Sequence, residues 1–144
     1  MSYNDLEFTG VHHVTIPVTD LQASLSWFET CLSGQRLERF DHHDEGGVVF
    51  AVILQLPGHG PVVELRVDPT VANAVTGYMP VAFGVRDLDE LGRWISHLDE
   101  HGIEHSPVTT RRIGHSMDVG TPDGLVLRFY TDPAGGFASV EFKE

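Results

Sequence analysis

One strand–helix unit occurs twice in this chain, at a fixed distance, and that constrains its fold more than any other feature. His12-His-Val-Thr-Ile-Pro-Val-Thr-Asp-Leu-Gln-Ala-Ser-Leu-Ser-Trp27 reads as a β-branched strand that ends in a helix-capping aspartate and runs into an amphipathic helix. A second copy follows from Pro80: Val18-Thr-Asp-Leu21 matches Val85-Arg-Asp-Leu88, and Trp27 matches Trp94, both at an offset of 67 residues. Later strands align too, Val62-Val-Glu-Leu-Arg-Val-Asp-Pro69 with Val126-Leu-Arg-Phe-Tyr-Thr-Asp-Pro133, at an offset of 64. Two modules of one design are the economical reading.

Each module has the same expected order of elements. In the first, Val11 to Val18 is a strand, Leu21, Leu25, Phe28 and Leu32 recur at helical spacing, and Gly34 stands where a left-handed cap is wanted. Arg36 to Phe40, Val48 to Gln55 and Val62 to Val67 are the strands that follow, with His42 to Gly47 as a turn-forming link. In the second module Pro80 to Val85 is a strand. Asp87 caps a helix whose stripe is Leu88, Leu91, Ile95 and Leu98, with Glu90 in capping-box spacing. Ile103 to Arg112, Ser116 to Val119 and Leu125 to Thr131 complete a βαβββ series, with Thr121 to Gly124 as a tight turn. The expected organisation is one domain over 1–144: a module at about 10–69, a linker at about 70–79, a module at about 80–133, and a tail over 134–144.

Composition removes several classes of function. With 21 acidic against 9 basic residues the formal charge is −12, which opposes binding to a phosphate backbone, so nucleic acid is not an expected partner. No apolar run reaches the ~20 residues of a membrane span, and the first residues lack the pattern of a secretory signal, so the expected setting is cytoplasmic. The single cysteine, Cys31, excludes an intrachain disulfide and reads as a core residue on an apolar helix face.

With both copies in view, the sequence resembles the vicinal oxygen chelate superfamily, which includes glyoxalase I, bleomycin-resistance proteins and extradiol dioxygenases. The matching pieces are His13 to Phe28, Pro80 to Leu88 and Thr121 to Phe129. The resemblance implies an α+β fold in which two βαβββ modules form an eight-stranded, cup-shaped mixed sheet with helices outside, and it implies a homodimer. Metal-dependent members carry ligands on the first and last strand of each module. Those positions fall on His13, Glu64, Pro80 and Arg128, and neither a proline ring nor a guanidinium can ligate a cation.

The expected cup floor is therefore a Glu64–Arg128 ion pair standing where a metal would sit, with no cofactor. His13, Glu64 and Arg128 are the candidate catalytic residues. Arg128 would hold a planar anion in a bidentate contact, His13 would act as base or acid, and Glu64 would orient either one. The alternative is a metal-dependent lyase, isomerase or dioxygenase holding one divalent ion (Fe, Mn, Ni or Zn) through His13, Glu64 and, as substitute third ligand, His115. Strand alternation sends Phe50, Val52 and Leu54 to one face, and Phe83, Met117, Phe129 and Tyr130 are further candidates for the wall around an aromatic or anionic small molecule. Phe50, Val52, Phe83, His115, Met117 and Tyr130 are the expected ligand-binding set. His42, His43 and His59 are expected in solvent-exposed loops, and His12 is expected to face away from His13.

Overall fold

The computed structural model describes residues 5–58 and 62–141, and the architecture is α+β with two open sheets. The first module begins with β1 (His13–Val18), whose alternation buries Ile16 and Val18 and leaves His13 and Thr15 on the opposite face. Asp20 then accepts a hydrogen bond from the Ala23 amide at 3.0 Å and starts α1 (Leu21–Leu32). Leu25, Phe28, Cys31 and Leu32 are the buried stripe of that helix. Ser33, at φ 51°, takes the left-handed cap expected of Gly34.

The strand expected at Arg36 to Phe40 is broken into smaller pieces. β2 (Gln35–Arg36) is followed by a 3₁₀ turn at Glu38–Phe40 and by β3 (His42–His43), which lies in the stretch expected to be a link. Arg36 explains the break: Nε and Nη2 donate to both carboxylate oxygens of Asp41, at 3.1 and 2.6 Å, and fold the chain back. β4 (Val49–Gln55) and β5 (Val62–Val67) complete the sheet, in the order β1-β5-β4-β2 with β3 also on β4. Within the connection between modules, Asp68 caps a short helix, α2 (Pro69–Ala74), which no apolar period announces.

The second module repeats the order of elements. β6 (Val81–Val85) leads to α3 (Leu88–Glu100), capped by Asp87 through the Glu90 amide at 2.9 Å. The strand expected over Ile103 to Arg112 is reduced to β7 (Thr109–Thr110), and β8 (His115–Gly120) and β9 (Val126–Thr131) form a hairpin across the turn Thr121–Gly124. The sheet order is β6-β9-β8-β7. In both sheets the first and last strands are parallel neighbours, with Val14 opposite Val63 and Val81 opposite Leu127.

Among the described residues the strands number nine and lie in two sheets, one from each βαβββ module of the expected α+β architecture. β1 and β6 each end a sheet and do not pair with each other. The helices cover one face of the sheets, over a core that runs from Ile16, Phe28, Leu54 and Leu65 to Leu98, Met117, Leu127 and Phe129. The modules are joined by the Thr19 amide and hydroxyl on the Asp123 carboxylate, at 3.1 and 2.6 Å, and by His97 Nε2 within 2.6 Å of the Thr30 carbonyl oxygen. Core burial pushes the Cys31 thiol up to about 12, so it is no nucleophile at neutral pH. No helix among the described residues is long and apolar enough to cross a membrane.

Candidate functional site

With one face of each sheet under helices, the polar side chains gather on the other. On the first sheet β1 and β5 run in register, so Thr15 lies opposite Glu64, and the antiparallel β4 puts Ile53 opposite Glu64 and Ala51 opposite Arg66. Alternation then places Glu64 and Arg66 together on the open face, while Val63 and Leu65 are buried in the core. His42 pairs with Ala51 and so joins them.

Glu64 is buried and held from three sides. The Thr15 hydroxyl donates to Oε2 at 3.3 Å, His42 Nε2 lies 3.7 Å from Oε1, and Arg66 Nε lies 3.9 Å from Oε2. Arg66 in turn sits over the ring of Phe50, 5.0 Å from its centroid, and His42 meets the same ring edge-on at 5.8 Å. One atom of this cluster is unsatisfied: Nη1 of Arg66 is enclosed and has no hydrogen-bond partner, a condition that costs about 1–3 kcal/mol.

The second sheet carries a different cluster. Asp118 lies opposite Arg128, and Ser116 opposite Tyr130. Arg128 donates through Nε and Nη2 to both oxygens of Asp118, at 2.8 and 3.1 Å, and Arg111 Nε donates to the Ser116 hydroxyl at 2.8 Å. That bidentate contact holds the Asp118 carboxyl below its ordinary value and raises the Arg128 guanidinium. Ala82 and Gly84, opposite Arg128 and Tyr130, keep the neighbouring strand low and exposed.

Several expectations change against this geometry. Glu64 and Arg128 do not pair, because each finds its partners within its own sheet. Val52 and Met117 are core residues, and Phe83 packs edge-on to Phe129 on the helix side, so none of the three lines the open face. Phe50 leaves the face of Val52 and Leu54 because the β3–β4 register shifts between His42 and His43, which breaks strict alternation. His115 shares its face with Met117 and Val119, its Nδ1 lies 3.4 Å from the Thr110 hydroxyl, and it forms no metal-holding group with His13 and Glu64. Tyr130 stays on the open face with Arg128.

The histidines sort differently as well. His13 is exposed, and its Nδ1 lies 3.0 Å from Nδ1 of His12, so the neighbour expected to face away is in contact with it. His42 belongs to the site, whereas His43 is exposed and His59 lies outside the described residues. Among the described residues no three His, Cys, Asp or Glu side chains converge as a metal ion requires. Arg66 beside Glu64 also puts a cation where an ion would need room, so this donor set does not fit a divalent metal.

A cavity lies elsewhere among the described residues. It is about 680 Å³ and follows the free edge of β6, between Leu32, Leu56 and Pro57 on one wall and Phe83, Trp94 and Phe129 on the other. At its mouth Arg86 and Arg93 are both drawn to Glu90, at 3.6 and 3.0 Å. Glu64, Arg66, His42, Asp118 and Arg128 are not part of its lining and lie on the open faces of the sheets.

A family model described as the Glyoxalase/Bleomycin resistance protein/Dioxygenase superfamily matches residues 10–135. The chain belongs to this superfamily. Solved structures agree on the fold. A lactoylglutathione lyase from Agrobacterium tumefaciens is 15% identical with a TM-score of 0.68, covering 90% of this chain and 98% of that one. TnmS3, an antibiotic binding protein from Streptomyces sp. CB03234, is 17% identical with a TM-score of 0.67, covering 88% and 98%. The fosfomycin resistance protein FosX from Listeria monocytogenes is 12% identical with a TM-score of 0.64, covering 90% and 98%. No curated protein is significantly similar in sequence.

Within this superfamily fold, the residues that sequence reasoning passed over are Arg66, Thr15, Asp118, Ser116 and Arg111, and His42 was expected in an exposed loop. Arg66 was open to discovery, because it stands two residues from Glu64 on one strand and so shares its face.

Proposed function

We propose that the protein is a cytoplasmic homodimer that binds a small, planar organic anion on the open faces of its sheets without a resident metal. The observation that carries this reading is the Arg128–Asp118 contact: the last-strand position of the second module is filled by a guanidinium already locked to a carboxylate from the next strand. With Pro80 at the matching first-strand position, half of the ligand set of the metal-dependent members is gone. TnmS3, an antibiotic binding protein, supports binding as a sufficient role for this scaffold.

The free edges of β1 and β6 support the dimer, since each ends a sheet that a second copy can extend or face. Leu6, Phe8 and Val11 on the N-terminal arm are also exposed, apolar surface of the kind an interface covers. Sedimentation at the mass of a single 15.9 kDa chain would remove the dimer from the account.

The binding claim is tested by titrating isotope-labelled protein with an aromatic acid, 2-naphthoate, and following the backbone amides. The expected result is saturable shifts at the open-face residues Thr15, Ala51 and Glu64, with Leu32 and Trp94 at the β6 cleft unmoved. Shifts confined to the cleft, or none on the open face, would sink this reading.

A further inference from the structure

The arginines of the open faces differ in how their donors are used. Arg128 has two N–H groups on Asp118, and Arg111 has one on Ser116. Arg66 makes no hydrogen bond among the described residues. Its Nε stands 3.9 Å from Glu64, beyond hydrogen-bond reach, its guanidinium rests over Phe50, and its Nη1 is enclosed without an acceptor. A guanidinium seeks planar, two-oxygen acceptors, and a charged acceptor gives the stronger contact.

The surroundings of Arg66 narrow what such an acceptor belongs to. Opposite it on β4 is Ala51, whose methyl group takes little space, and beside it stand the rings of Phe50 and His42. The Arg66 side chain keeps 40% of its surface, so rotation about its terminal bonds turns the enclosed N–H toward the open face. Glu64 does not depend on Arg66 alone, because Thr15 and His42 remain on its two oxygens when the guanidinium turns.

We propose that Arg66, and not Arg128, is the anchor of the ligand, and that the ligand is an aromatic carboxylate whose carboxyl group takes the free donors of Arg66 while its ring lies beside Phe50. This deepens the functional reading above and rests on it.

The test compares 2-naphthoate with 2-naphthamide, which keeps the ring and shape but loses the charge. The wild type should bind the acid roughly tenfold or more tighter than the amide, the discrimination expected of a charge-assisted contact. Arg66→Met should abolish that preference and leave amide binding in place, Arg66→Lys should keep part of it, and Arg128→Met should keep it. Without probe, Arg66→Met should be no less stable than the wild type, since it removes an unsatisfied donor. A wild type that binds both probes equally, or an Arg66→Met protein that still prefers the acid, overturns the Arg66 assignment while open-face binding stands. If millimolar 2-naphthoate moves no open-face amide in the wild type, both readings fall together.

Discussion

Phe129→Ala should lower stability by about 3–5 kcal/mol, the loss expected when a fully buried aromatic side chain is truncated. Phe129 is 2% exposed and holds three elements together: its ring lies 6.2 Å from that of Phe83 on β6 and 5.3 Å from that of Trp94 on α3, both edge-on. The residues on either side of it, Arg128 and Tyr130, point to the open face, so β9 couples core packing to the placement of the site. For a chain of this size the expected fall in Tm is roughly 10 °C or more. Phe137→Ala is the matched control, because its ring is 73% exposed on the tail, and its effect should stay within about 0.5 kcal/mol. A calorimetric scan of both variants decides the matter. Equal shifts would contradict the description of the core.

The second large effect is expected at Asp118. Its pair with Arg128 is bidentate and only partly exposed, 29% on the carboxylate and 21% on the guanidinium. After discounting for solvent screening, Asp118→Asn should cost about 1–2 kcal/mol at neutral pH. The sign with pH follows from the direction of the shift. The folded carboxyl is held below its ordinary value by the Arg128 hydrogen bonds, with burial opposing them. The unfolded chain therefore takes up protons first as pH falls, so the contribution is complete above the unfolded value of about 3.9 and is lost as pH drops through the folded one. Urea melts from about pH 7 down through the acid range should show the variant's full deficit at neutral pH and a deficit that shrinks progressively once pH falls below about 4. A deficit that persists unchanged in acid would mean that shape, and not charge, accounts for the contact.

The repeated unit made the fold legible. The Asp20 and Asp87 caps, the Leu25 and Leu91 stripes and the Val62 and Val126 strands carry strong local signals, and the structure keeps them. The limits of β2 and β7, and β3 altogether, were not legible, since two residues have no period and owe their geometry to contacts such as Arg36–Asp41. Register explains the site in the same way. Glu64 and Arg128 each occupy the last strand of a module, and pairing them assumed that the two modules meet strand to strand. They do not, and the hairpin across Thr121–Gly124 delivers Asp118 to Arg128 instead. Phe50 was assigned with Val52 because alternation was assumed through a stretch where the register shifts. Arg66 needed only the alternation rule, applied two residues beyond Glu64.

The claim on which the account turns is that the His13 and Glu64 positions work without a metal. Elemental analysis of the protein, purified without chelator from cells grown with Fe, Mn, Ni and Zn, tests it most directly. The account predicts no stoichiometric transition metal, in the wild type or in a His13→Ala variant. One equivalent of Fe, Mn, Ni or Zn per chain that disappears with His13→Ala or Glu64→Gln would contradict it.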